Sequence, residues 1–160
     1  MKLDNSKAII SFRIKLFAVT VLFLAYIVLS YVAKFFKLTL FGMSDTFWTI
    51  IFAVIWLIFA LLPMFLNYQY VSYSDDGESI VFRYFMSGMV GGKKNSVEID
   101  KKAFAGYKTE KKLFGLIRSI TLYQHFREGV AKYPSIYISA LGKEERSKVF
   151  RSLNLYAPKA

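Results

Sequence analysis

Two long runs without a charged residue, Leu16 to Ala33 and Thr46 to Leu66, dominate the first 66 residues of this 160-residue chain. As helices that rise ~1.5 Å per residue, the two runs would be roughly 27 and 31 Å long, close to the thickness of the hydrocarbon core of a bilayer. Trp48 and Tyr68 lie near the ends of the second run, where aromatic rings favour the membrane interface. The sequence therefore predicts two membrane-spanning helices, over about 16–33 and 46–66.

Two other interpretations of these runs are less favoured. A pair of buried core helices would need more surrounding core than the rest of the chain supplies. The first run also resembles a cleaved signal peptide, because four cations precede it. It is longer than the usual hydrophobic segment of such a peptide, however, and Tyr31 lies two places before Ala33, where processing requires a small residue. A retained anchor is the preferred interpretation.

The distribution of cations favours both chain ends on the cytoplasmic side. The first 15 residues contain four Lys or Arg and one Asp, and the link from Lys34 to Asp45 contains two cations and one acid. The segment after the second run contains 16 Lys or Arg and nine Asp or Glu. Because cytoplasmic segments carry an excess of Lys and Arg, we expect a hairpin whose 12-residue link lies outside.

From about Asn67 onward the pattern changes to short alternating segments separated by turn residues. Asp76-Gly77 is typical of a tight hairpin. Strands are predicted at 70–74, 79–86, 96–100, 104–109, 113–126 and 135–140. A seventh strand would come either from division of the fifth at Gly115 or from the 126–133 stretch. An amphipathic helix is predicted from Lys143 to Leu153. The chain thus divides into a helical segment, 1–66, and an antiparallel β domain with a C-terminal helix, 67–160.

Three segments of the β domain resemble a known family. They are the hairpin Ser-Asp-Asp-Gly-Glu-Ser-Ile from Ser74 to Ile80, the strand Ser96–Asp100 leading to Phe104, and the closing helix. Behind two apolar runs, this order resembles bacterial membrane proteins with a pleckstrin-homology-like domain. The resemblance implies a transmembrane hairpin in the inner membrane, followed by a cytoplasmic, seven-stranded, half-open β-barrel or sandwich that a C-terminal helix plugs.

Residues suited to catalysis or metal binding are few. His125 is the single histidine, Glu128 is the nearest carboxylate in sequence, and the chain has no Cys for a disulfide or a thiolate site. The glycine-rich segment from Gly88 to Lys94 departs from a phosphate-binding loop, because its spacing is one residue short and Lys94 replaces the metal-binding Ser or Thr. We therefore expect no enzyme activity, no cofactor and no metal.

The main polar feature is a basic stretch whose cations outnumber its acids. Its eight cations are Lys93, Lys94, Lys101, Lys102, Lys108, Lys111, Lys112 and Arg118. In one interpretation these residues gather at one rim of the domain and contact the anionic leaflet, where each contributes about 1 kcal/mol. In the other they form a solvated face that keeps the domain soluble.

The net charge of +11 also raises the question of nucleic acid as a partner. The aromatic residues lie within alternating strands, where they are better explained as core or sheet-face residues than as platforms for bases, so no nucleic-acid binding is expected. No ionisable residue lies inside either apolar run, which disfavours a transport pathway.

The sequence predicts a non-enzymatic membrane adaptor or scaffold that binds membrane lipid, another protein or a second copy of itself. The alternative is an accessory subunit of a larger membrane enzyme or transport complex whose active site lies in a partner chain.

Overall fold

The computed structural model describes residues 1–34, 42–87 and 92–158. The chain divides into two compact units. The β unit consists of Met1–Ile9 together with Met64–Ala160, and the helical unit consists of Ile10–Pro63. The β unit therefore includes residues from before the first apolar run, which the sequence assigned to the helical segment.

The helical unit is built from two long apolar helices. Helix α1 covers Ser6–Ile27 and is followed by a π-helical turn, Val28–Val32, while α2 covers Asp45–Phe65. Both stretches are long and apolar enough to cross a membrane, and most of their large apolar side chains are exposed. Helix α1 begins ten residues before the predicted start at Leu16, because the Lys and Arg residues ahead of that run are good helix formers. Pro63 lies inside the last turn of α2.

Polar side chains join α1 to α2 within this unit. The indole nitrogen of Trp56 donates to the Thr20 hydroxyl over 2.9 Å. The Tyr26 and Tyr31 hydroxyls lie 3.1 and 2.8 Å from the Thr49 hydroxyl. Both threonines also donate to a backbone carbonyl of their own helix. These bonds give the helix pair specific contacts in addition to apolar packing.

Two predicted segments fall partly outside the described residues. Positions 35–41 of the predicted link between the helices are among them, and so are positions 88–91 of the glycine-rich segment.

Within the described residues, the β unit contains eight strands and one long helix. They are β1 (Lys2–Asp4), β2 (Gln69–Ser74), β3 (Ser79–Met86), β4 (Asn95–Asp100), β5 (Phe104–Lys112), β6 (Ile117–Phe126), β7 (Gly129–Lys132), β8 (Ile136–Tyr137) and helix α3 (Lys143–Tyr156). The strands form two antiparallel sheets. The first has the order β1-β2-β3-β4, and in the second β6 pairs with β5 on one side and with β7 and β8 on the other.

The strongest strand predictions are confirmed. Strands β2 and β3 form a hairpin in which Gly77 has a positive φ of 79°, and Ile80, Phe82 and Tyr84 all face the core. Gly115 does not divide the predicted strand 113–126 into two strands, because residues 113–115 form a 3₁₀ turn between β5 and β6. The predicted strand 135–140 is reduced to the two residues of β8, and β1 was not predicted. Strand β7 lies within the 126–133 stretch, one of the two possible sources of a seventh strand.

One hydrophobic core is shared by both sheets and α3. Its fully buried side chains include Tyr73 and Phe82 of the first sheet, Ile120 and Leu122 of the second, and Leu153 of α3. Apolar residues that alternate along β2, β3 and β4 face this core, and their burial is the main source of stability for such a domain.

Of the two expected forms, a half-open barrel or a sandwich, the described residues do not show a barrel. No strand of the first sheet pairs with a strand of the second, so the sheets are not closed. Strands β4 and β5 are edge strands of different sheets, and the 3₁₀ turn Lys101–Ala103 carries the chain from one to the other without continuing a hydrogen-bonded ladder. The unit is therefore two open sheets with a helix on their common core.

Candidate functional site

The first four residues of the predicted basic stretch flank β4 at its two ends. Lys93 and Lys94 are exposed immediately before the strand, and Lys101 and Lys102 follow it. Since a six-residue strand is roughly 20 Å long at ~3.3 Å per residue, these two pairs cannot meet.

Lys101 has a structural role in the turn between β2 and β3. Its ammonium group donates to the backbone oxygens of Asp75 and Gly77, each over 2.7 Å. The same group lies 4.7 Å from the centre of the Tyr156 ring on α3, a distance suited to a cation–π interaction. Lys101 thus ties the hairpin to the C-terminal helix, and its charge is already engaged within the domain.

The other four cations lie on the β5–β6 hairpin. Lys108 is within 3.6 Å of the Glu110 carboxylate on the same strand. Lys111 stands directly opposite Arg118 in the ladder, a like-charge arrangement that is unfavourable without an anion nearby. Among the described residues, no ion pair joins a carboxylate to Lys111, Lys112 or Arg118. We call these three residues the basic base of the hairpin.

The turn that joins β5 to β6 exposes large apolar side chains. Leu113, Phe114 and Leu116 are 58%, 109% and 62% exposed, and we call these three residues the apolar tip. Leu113 and Phe114 have φ values of 47° and 54°, in the left-handed region that large side chains seldom adopt. The turn is closed by a bond from the Leu116 N–H to the Leu113 carbonyl over 3.0 Å. The turn therefore has one defined conformation, and its apolar side chains point into solvent.

Arg118, one of the three residues of the basic base, bonds to the backbone of the turn that carries the apolar tip. Its Nε donates to the Gly115 carbonyl over 3.0 Å, and its backbone N–H donates to the Ser139 hydroxyl over the same distance. Burial lowers the pKa of the Arg146 guanidinium on α3, and the positive charge of Arg118 lowers it further. Positive charge is thus concentrated at the foot of an exposed apolar turn.

The eight predicted cations are spread over both ends of β5. Lys101 and Lys102 precede this nine-residue strand and Lys111 and Lys112 end it, which separates the pairs by roughly 25–30 Å. The group that the structure brings together is the basic base with the apolar tip. These cations were predicted from the sequence, but the exposed tip was not. The feature that could have indicated it is the Leu-Phe-Gly-Leu segment between the cations. Their binding role stays a prediction.

A polar cluster lies under α3, away from this hairpin. The Asp75 carboxylate accepts bonds from the Ser152 hydroxyl and from the N-terminal amine, and the Tyr73 and Ser152 hydroxyls are 2.7 Å apart. Burial raises the pKa of Tyr73 to about 12. Burial opposes ionisation of Asp75 too, but the bonds from the amine and Ser152 outweigh it and lower the pKa of this carboxyl. The cluster fastens α3 to β2 by satisfied hydrogen bonds.

His125 and Glu128, the two residues weighed and disfavoured for catalysis, lie in the β6–β7 hairpin. His125 is exposed near the end of β6, opposite Val130 of β7, and Glu128 is exposed in the turn that follows. In residues 1–34, 42–87 and 92–158, no group of three or more His, Cys, Asp or Glu side chains is arranged to hold a metal ion.

An apolar groove of about 240 Å³ lies in the helical unit. It is lined by Val19, Leu22, Phe23, Tyr26, Phe52, Ile55 and Trp56. The groove offers almost no polar surface, so it has the chemistry of a lipid-chain or helix-packing surface rather than that of a polar ligand site.

Comparison with known protein families gives no match, and neither curated proteins nor solved structures contain a match to the chain.

Proposed function

We propose that this chain is an integral membrane adaptor. In this proposal α1 and α2 cross the membrane as a hairpin and hold the β unit at one membrane face, where its basic surface binds anionic lipid or a protein partner. The observation that carries the proposal is the position of β1, which precedes the hairpin in sequence and pairs with a strand that follows it.

The pairing of β1 with β2 supports a hairpin with both ends on one side. Leu3 lies opposite Tyr73, and the Asn5 N–H donates to the Val71 carbonyl over 3.2 Å. Asn5 is fully buried, and its side chain donates to the Gln69 carbonyl and accepts from the Val71 N–H, both over 2.8 Å. Strands of one sheet share one compartment, so an even number of crossings must separate β1 from β2.

The same contacts support a retained anchor over a cleaved signal peptide. Cleavage after the first apolar run would remove β1 and Asn5 from the sheet. The N–H of Val71 and the carbonyl of Gln69 would then lose their partners at buried positions, which is costly. The exposed apolar surface of both helices further supports insertion, since water does not favour such a surface.

In this proposal the N-terminus and the β unit lie on the cytoplasmic side of a bacterial inner membrane. The excess of cations in both segments supports this orientation. A pleckstrin-homology-like domain is the proposed type of the β unit. Two antiparallel sheets on a shared core, followed by α3, support this assignment. The engagement of the buried polar groups in structural bonds supports a binding role over catalysis.

Membrane extraction and thiol labelling test the proposal. Detergent should release the protein from membranes, whereas alkaline carbonate should not. The chain has no Cys, so single variants Lys2→Cys, Asn95→Cys and Met43→Cys report their side of the membrane through an impermeant thiol reagent. The first two should be labelled from one side and the third, between the helices, from the other. Release by carbonate, or labelling of all three from one side, would reject the anchor.

Purification in mild detergent then distinguishes an accessory subunit from a free-standing adaptor. A stoichiometric larger partner supports an accessory subunit of a membrane complex. A uniform small oligomer without other proteins supports a free-standing adaptor.

A further inference from the structure

We propose that the β5–β6 hairpin is a membrane wedge, in which the apolar tip enters an anionic phospholipid bilayer and the basic base binds the headgroup phosphates. This inference rests on the proposed function, because the wedge needs the β unit to lie beside a membrane. It identifies the ligand of the basic surface as a bilayer with net negative charge.

The apolar tip has no explanation within the fold. Residues at positive φ in tight turns are usually Gly, Asn or Asp, and here two of the three such residues are Leu113 and Phe114. Leu and Phe therefore make the turn harder to form and add nothing to the core, since Phe114 is fully exposed. Insertion of the turn into an environment with an apolar interior explains both the strained conformation and the exposure.

The positions of the charged residues indicate which apolar environment the turn enters. Amphipathic membrane-binding surfaces insert apolar side chains about 5–10 Å into the boundary between headgroups and acyl chains, with Lys and Arg just behind them. Lys111 and Lys112 of the basic base immediately precede the tip, and Arg118 follows it after Ile117. Lys111 and Arg118 face each other across the ladder without an ion-paired carboxylate among the described residues, and headgroup phosphates would relieve this repulsion.

A second copy of the chain fits this surface less well than a bilayer. Association of two tips through their apolar side chains would bring the like-charged Lys111, Lys112 and Arg118 of two copies together, which is unfavourable. Charge complementarity therefore favours anionic lipid over self-association.

Environment-sensitive fluorescence on the full-length protein in liposomes tests the wedge. Leu116→Cys provides a single attachment site for an NBD label, and Glu98→Cys, exposed on β4 of the other sheet, is the control. In phosphatidylglycerol-containing liposomes, the label at position 116 should show a blue-shifted emission, a several-fold higher intensity and quenching by spin-labelled lipids. The label at position 98 should show none of these changes.

Two further variants separate the contributions of the tip and the base. Phe114→Asp in the Leu116→Cys background should give the emission of a water-exposed label in all liposomes. Lys111→Glu with Lys112→Glu should abolish the difference between phosphatidylglycerol-containing and pure phosphatidylcholine liposomes. The same charge change at Lys93 and Lys94, which lie before β4, should leave the signal unaltered.

The failure of the wedge and the failure of the anchor give different results. A label that stays in water in a protein that resists carbonate overturns the wedge and leaves the anchor in place. A quenched label in a protein that carbonate releases supports the wedge and rejects the anchor. A blue-shifted label that spin-labelled lipids do not quench shows that protein covers the tip, which also overturns the wedge.

Discussion

Replacing Asn5 by alanine is expected to destabilise the β unit strongly, although this residue lies 64 and 66 positions before the two residues whose backbone it contacts. Asn5 is fully buried and bridges the Gln69 carbonyl and the Val71 N–H, each over 2.8 Å. Alanine would leave both backbone groups without a partner at positions that water reaches poorly, since Val71 is 1% exposed and Gln69 is 7% exposed.

The size of this effect follows from the two lost bonds. An unsatisfied buried polar group costs about 1–3 kcal/mol, so two of them cost about 2–6 kcal/mol. For a domain of this size, each 1 kcal/mol lowers Tm by about 4–8 °C. The Tm of the β unit should therefore fall by at least about 8 °C.

Thiol reactivity during heating measures this change in the β unit alone. A Val97→Cys variant places a thiol at a core position that is 4% exposed, in a chain without other Cys, so the thiol reacts only when the β unit opens. Asn95→Ala is the matched control, because Asn95 is exposed and makes only a 3.3 Å bond to the Lys93 carbonyl. An equal Tm for the Asn5 and Asn95 variants would refute the claim that the N-terminal strand belongs to this domain.

Two further predictions concern α3 and the polar cluster beneath it. Leu153→Ala should cost about 2–5 kcal/mol because this side chain is fully buried, whereas Leu155→Ala in the same helix, 75% exposed, should change stability by less than about 0.5 kcal/mol in urea unfolding. The bonds from the N-terminal amine and Ser152 lower the pKa of Asp75 despite its burial. Its contribution to stability is therefore present above about pH 4 and lost as the pH falls through the folded-state pKa. Asp75→Asn should flatten the acid limb of a plot of Tm against pH, and an unchanged acid limb would contradict this role.

Local sequence signals predicted the elements whose contacts are close in the chain. The Asp76-Gly77 turn and the alternation of Ile80 and Phe82 define β2 and β3, because a tight turn fixes the register of the strands that it joins. The helix predicted from Lys143 ends three residues later than expected, at Tyr156, since the ends of helices depend on capping more than on periodicity.

The elements that were missed depend on contacts distant in sequence. Strand β1 has three residues, too few to show alternation, and Leu3 finds Tyr73 only in the folded domain. The separation of the basic residues has the same origin. Lys101 was grouped with Lys111 by sequence proximity, but an extended strand separates them and the carbonyl oxygens of Asp75 and Gly77 engage Lys101.

The interruption of the first sheet by α1 and α2 has a consequence for biosynthesis. The ribosome delivers β1 before the helices, and its partner β2 appears only after more than 60 further residues. In a membrane-inserted chain, the sheet could be completed only once both crossings were made and the two segments met in the same compartment. A chain with one failed crossing would leave the edge of β2 unpaired, and an unpaired strand edge promotes aggregation. Completion of the sheet would thus act as an internal check on correct insertion.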